Sequence, residues 1–221
     1  MRMELYYNIN KQQRIRANLV YTPYVKDSVF RMSFNRDPEY HFDQEQNKLF
    51  TEDILQDRFQ REIRFHEKVK NLVPTLEILD VNESKRFIDI EWPSNDFYML
   101  GLEQPYDSIL PDWKEQWLHI VRTLRSANIS KFSLHPNSFV VRKNRLVPFN
   151  WFFCFGRNEV TSIESVMCQI SEHRAEQLAP LLSKYNLNIS DWLPAKEFER
   201  LGLESFRTHY PKELIDDAIK F

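Results

Sequence analysis

The residues best suited to chemistry lie between positions 129 and 156, in the stretch ISKFSLHPNSFVVRKNRLVPFNWFFCFG. A loop, Ser133-Leu134-His135-Pro136-Asn137-Ser138, supplies two hydroxyls, an imidazole and an amide. The strand Phe139-Val140-Val141 follows, then the basic turn Arg142-Lys143-Asn144-Arg145, then a second strand, Leu146-Val147-Pro148-Phe149-Asn150-Trp151. Ser133, His135, Asn137, Ser138 and Asn150 are the positions to weigh, and residue type alone assigns a catalytic role to none of them. The stretch contains no carboxylate. A serine hydroxyl carries no charge near neutral pH and cannot serve as a base in place of an acid. An asparagine offers a neutral oxygen, weaker toward Mg²⁺ than a carboxylate. His135 can titrate near neutrality, which admits a general base.

Other constellations are weaker. Asp89 and Glu91 alternate on one strand and share a face, as paired carboxylates or as a solvated sheet face. His41, His66, His119, His173 and His209 are scattered, form no H-x-x-x-H pair and neighbour no cysteine, so no zinc site is expected. Cys154 and Cys168 have no metal-ligand spacing and make no disulfide framework. No G-x-S-x-G elbow occurs. The three glycines are Gly101, Gly156 and Gly202. With none before position 101, no glycine-rich phosphate cradle of the Walker or dinucleotide-binding kind can form in the first half.

The 221 residues suffice for a sizeable core, as one domain or two small lobes. A hydrophobic content of 42%, a charged content of 28% and a net charge of −2 describe a globular chain. The balance argues against polyelectrolyte attraction to nucleic acid or an anionic membrane. No apolar run approaches the roughly 20 residues that span a bilayer. The opening MRMELYYNINKQQR lacks the apolar core of a signal peptide, so a cytoplasmic protein is expected.

The elements that must position the candidate residues follow from periodicity. Residues 3–8, 14–24 and 28–34 read as strands, the last alternating Phe30, Met32 and Phe34 against Val29, Arg31 and Ser33. Residues 36–46 read as a surface loop. A helix begins at Thr51 and runs to about Leu72, with Leu55, Phe59 and Ile63 on one stripe, and Pro74 ends it. Residues 75–81 and 86–92 form a hairpin about Asn82-Glu83-Ser84-Lys85. Tyr98-Met99-Leu100-Gly101 serves as a connector. The helix opened by Pro111-Asp112 gathers Trp113, Trp117, Ile120, Val121 and Leu124 on one face. Beyond Gly156 the chain turns helical, with stripes at Ile163, Val166, Met167 and Ile170, then at Leu178, Leu181 and Leu182. Short helices at about 194–202 and 211–221 close it.

The stretch 129–156 resembles the catalytic loop and metal-binding segment of kinase-like phosphotransferases, the protein kinases and aminoglycoside phosphotransferases, with the chemical residues altered. The family's loop reads D-L-H-P-x-N, and its second strand delivers an Asp. Here Ser133 stands for the acceptor-orienting Asp and Ser138 for the metal-binding Asn. Pro148 or Asn150 stands for the metal Asp, depending on alignment. His135 then either braces the loop through its backbone or acts as a base. The resemblance further implies that Glu62 takes the place of a helix Glu that pairs with a strand cation, here Arg31. It implies a two-lobed α+β fold. Residues 1–96 would form a small lobe of antiparallel sheet plus one long helix, and 97–221 a mostly helical lobe carrying the degenerate loop at 131–151.

Such a pattern implies a pseudokinase, an interaction or regulatory module without a cofactor. The alternative is an unorthodox phosphotransferase or nucleotide-binding protein using ATP with Mg²⁺ in a rearranged site. A third reading treats the resemblance as coincidence in an α+β protein. The expected partner is a protein, with a homo-oligomer as one form. Trp192, Phe198, Phe206 and Tyr210 are the candidate interface residues, because aromatic residues are enriched at interface centres. The competing reading buries all four in the core.

Overall fold

The computed structural model describes residues 22–26, 29–35, 51–92, 97–99, 106–167 and 172–221. The expected strand at 3–8, most of the one at 14–24, the loop at 36–46, Leu100 and Gly101 of the connector, Cys168 and Ile170 lie outside them.

Strands β1 (Thr22–Lys26), β2 (Val29–Ser33), β3 (Ile78–Asn82) and β4 (Phe87–Glu91) form an antiparallel sheet in the order β1-β2-β4-β3. Alternation in β2 buries Phe30 and Met32 on one face and leaves Arg31 on the other. The helix α1 (Glu52–Val69) shares a core with Phe30, Met32 and Phe34 through Leu55 and Phe59. Thr51 caps α1, its Oγ1 accepting from the Ile54 N–H at 3.3 Å. The β3–β4 turn is fixed by Asn82, whose Oδ1 accepts from the Lys85 N–H and the Ser84 hydroxyl. Arg86 takes a positive φ of 44° there.

Strand β5 (Phe97–Met99) pairs with β7 (Phe139–Arg142), and β7 with β8 (Arg145–Pro148). The two-residue turn Lys143-Asn144 has positive φ at both positions, as a tight hairpin requires. The helix α2 (Trp113–Ser126) buries Trp113, Trp117, Ile120, Val121 and Leu124. Its Gln116 side chain bonds the hairpin, accepting from Leu146 N–H and donating to Asn144 O. Asn128, at φ 59°, turns the chain into β6 (Ile129–Lys131).

The expected second strand, 146–151, ends early. Asn150 adopts the left-handed region (φ 61°, ψ 66°) and starts a 3₁₀ turn over Trp151–Phe153. The chain then enters β9 (Cys154–Gly156), which pairs with β6. Strand β10 (Val160–Ser162) leads into α3 (Ile163–Met167) and α4 (Glu172–Lys184). Strand β11 (Trp192–Pro194) returns to β10, and α5 (Ala195–Ser205) and α6 (Lys212–Lys220) follow. The region after 97 is therefore mixed, with seven short strands described among its helices.

The fold is α+β, with small antiparallel sheets. Two apolar clusters form the core, and each draws residues from both sides of position 96. One joins the four-stranded sheet to Phe132, Phe149, Phe152, Phe153 and Phe155. The other joins Phe65 and Val69 of α1 to Trp113, Trp117, Trp151 and Tyr210. No described helix is long and apolar enough to cross a membrane.

Candidate functional site

The centre of the site is Lys131, which pattern reading passed over. Pairing of Lys131 with Cys154 sets the side chain inside the protein, 1% exposed. Its ammonium donates to Ser133 Oγ at 2.8 Å, to Phe149 O at 2.7 Å and to Asn150 O at 2.8 Å. It also lies 4.6 Å from the centre of the Trp151 ring. Three ammonium protons thus meet three acceptors. The Ser133 hydroxyl in turn donates to Asn150 O at 3.0 Å. The left-handed turn at Asn150 lets successive carbonyls converge on one cation.

Helix α1 grips the same segment from the other side. Glu62 Oε2 accepts from the Phe152 N–H at 2.8 Å, and Arg58 Nη1 donates to Phe152 O at 3.0 Å. Arg61 reaches Cys154 O at 3.2 Å and pairs with Glu159 at 2.6 Å. Burial raises the Glu62 carboxyl to about 7, opposed by the charge of Lys131 and by the backbone N–H groups of Phe152 and Trp151. Burial also pulls Lys131 below the usual lysine range, while the charge of Glu62 opposes this. The Cys154 thiol, buried beside them, is pushed up to about 12, which makes it a poor nucleophile.

Arg58, Glu62 and His66 are all buried, four residues apart along α1. His66 Nε2 donates to Leu76 O at 2.7 Å, tying the helix to the approach to β3. Deeper in the second half, Glu199 of α5 binds Arg125 at 2.9 Å, Arg157 at 3.0 Å and the Ser130 hydroxyl at 3.0 Å. Burial raises its pKa, with Arg125 opposing.

The candidate residues separate. Ser133 and Asn150 meet at Lys131. Ser138 is buried and works through its backbone: its N–H donates to His135 O at 2.8 Å and its carbonyl accepts from Phe149 N–H at 3.0 Å. Asn137 sits in the 3₁₀ turn Pro136–Ser138. The His135 ring packs on Phe206 and His209, with centroids 5.5 and 4.5 Å away. Tyr210 holds the loop by donating to Leu134 O at 2.8 Å.

The inferred Arg31–Glu62 pair is corrected. Arg31 binds both oxygens of Asp89, at 2.7 and 2.6 Å, and covers the Phe87 ring at 3.8 Å. Arg31 and Asp89 are register partners in adjacent strands, on the sheet face away from Phe30 and Met32. Glu62 instead turns toward Phe152. Asp89 and Glu91 each bind an arginine, Glu91 holding Arg142 of β7 at 2.7 Å. The interface set is corrected as well. Phe198, Phe206 and Tyr210 are buried, while Trp192 is 67% exposed.

Aromatic rings fill the space between the four-stranded sheet and the segment 149–152. Phe30 stacks on Trp92 at 4.5 Å, and Trp92 meets Phe149 edge-on at 5.9 Å. Phe34 meets Phe152 at 6.3 Å. Among the described residues, no three His, Cys, Asp or Glu side chains gather as a metal-ligand set. In comparisons with known proteins, no family model matches the chain and no curated protein is significantly similar to it.

Proposed function

We propose that this chain is a catalytically degenerate kinase-like protein, a pseudokinase that acts as an interaction or regulatory module in the cytoplasm. One observation carries the reading. Around Ser133, Phe149 and Asn150, where the resembling phosphotransferases concentrate carboxylates for metal and acceptor, this chain concentrates a buried ammonium. A fixed positive charge there opposes a divalent cation, and a serine cannot orient or deprotonate an acceptor hydroxyl. The Phe30, Trp92 and Phe149 rings further favour a packed core over a nucleotide cleft.

The expected partner is another protein, or a second copy of this chain. Trp192 supports this. Alternation on the β10–β11 ribbon turns Trp192 and Val160 outward together, while Leu193 packs on the core. Exposed tryptophan is a common interface anchor. The experiment is incubation with labelled Mg·ATP and generic acceptors, alongside a self-association measurement on wild type and Trp192→Ala. The reading expects no transferred phosphate. Stoichiometric incorporation, abolished by His135→Ala or Asn150→Ala, would instead establish the phosphotransferase.

A further inference from the structure

We propose that Ser133 Oγ, Phe149 O and Asn150 O form a monovalent-cation site that the protein fills with its own Lys131 ammonium. The inference rests on the contacts of Lys131 and stands apart from the proposed function. A lysine in a core normally places its stem on apolar surface and its charge in water. Lys131 instead is buried to its tip, and the polypeptide around it is arranged to receive a small cation. Two of the three oxygens are main-chain carbonyls brought together by the left-handed Asn150. The third, Ser133 Oγ, is held in place by its own bond to Asn150 O. The Trp151 face closes a further side at 4.6 Å.

The dimensions select the occupant. Contacts of 2.7–2.8 Å suit an ammonium. Mg²⁺ demands about 2.0–2.1 Å and Ca²⁺ about 2.3–2.6 Å, with more oxygens and more negative charge than this cage offers. Potassium and free ammonium ions are the soluble equivalents of the lysine head. Covalent attachment makes occupancy permanent in the native protein, so wild-type stability should not depend on which monovalent cation the buffer contains.

Truncation makes the site visible. Lys131→Ala should lower Tm by several degrees in tetramethylammonium chloride. K⁺ or NH₄⁺ chloride at equal ionic strength should restore a substantial part, in proportion to the logarithm of concentration, as ligand binding to the native state requires. Wild type and Lys131→Met, whose apolar stem blocks the cage, should show no such preference. Equal Tm for Lys131→Ala in all three salts overturns the proposal. A second variant covers a Lys131→Ala chain that does not fold in any salt. Ser133→Ala keeps the lysine and removes one cage oxygen, and should still lower Tm by several degrees. A Ser133→Ala Tm equal to wild type would likewise overturn it.

Discussion

The Glu62 carboxylate and the Phe152 backbone N–H, 90 residues apart in sequence, meet at 2.8 Å in the core. The bond joins α1 to the 3₁₀ turn that follows the β7–β8 hairpin. Arg58 takes the carbonyl of the same residue at 3.0 Å, so helix side chains satisfy both main-chain groups of Phe152. Glu62→Ala leaves the buried Phe152 N–H without its acceptor. It should destabilise by about 1–3 kcal/mol or more, whereas Glu62→Gln, which keeps an acceptor oxygen, should lose less. Urea denaturation of both variants checks the order, and a Gln variant as damaged as Ala would contradict the hydrogen-bond account.

The same residue sets a pH dependence. Its folded pKa, about 7, lies above its ordinary 4.5. The native state therefore holds a proton that the unfolded chain releases. The associated stability is complete below pH 4.5 and is lost as pH rises through 7. Over that window the loss is at most about 3 kcal/mol. Unfolding free energies at pH 5.5 and 8 should differ less in Glu62→Gln than in wild type. An unchanged difference would assign the linkage elsewhere.

Arg31 and Asp89 form a two-pronged pair, but the Arg31 side chain is 41% exposed. Arg31→Ala should therefore lower stability by no more than about 1 kcal/mol. A double-mutant cycle between Arg31 and Glu62 should be additive within about 0.5 kcal/mol, as for sites sharing no partner. Coupling above that would restore the link inferred from the resemblance.

Much of the scaffold was legible in the chain. The stripe of Trp113, Trp117, Ile120, Val121 and Leu124 is the buried face of α2, and the alternation of Phe30, Met32 and Phe34 is the core face of β2 and its exit. The failures have physical causes. Strands β6, β9, β10 and β11 are three residues long, too short for alternation to register. On α1, the stripe Leu55-Phe59-Ile63 is buried at its first two positions and half-buried at Ile63, and Arg58 and His66 join Glu62 inside. Charge marks a surface only where no main-chain partner waits inside. Lys131 was hidden for the same reason. Its one sequence signal is a polar Ser130-Lys131 pair set between Ile129 and Phe132.

The four aromatic residues near the C-terminus should now behave differently from one another. Phe206→Ala opens a core cavity and should lose about 3–5 kcal/mol. Trp192→Ala, at an exposed position, should stay within about 0.5 kcal/mol of wild type while weakening any self-association or partner capture. Chemical denaturation and sedimentation of the two variants provide the check. A Trp192→Ala chain that is destabilised like Phe206→Ala would make Trp192 a packing residue.

Under the proposed function, the buried Lys131 ammonium and the packed Phe30, Trp92 and Phe149 rings leave no room for a nucleotide or its metal. The most direct test is the melting temperature of the wild-type chain with ATP and GTP, with and without Mg²⁺ or Mn²⁺. Any ligand of the native state must raise Tm with concentration. The account predicts the same Tm in every condition. A rise that grows with ATP, requires the metal and disappears in Asn150→Ala would contradict it.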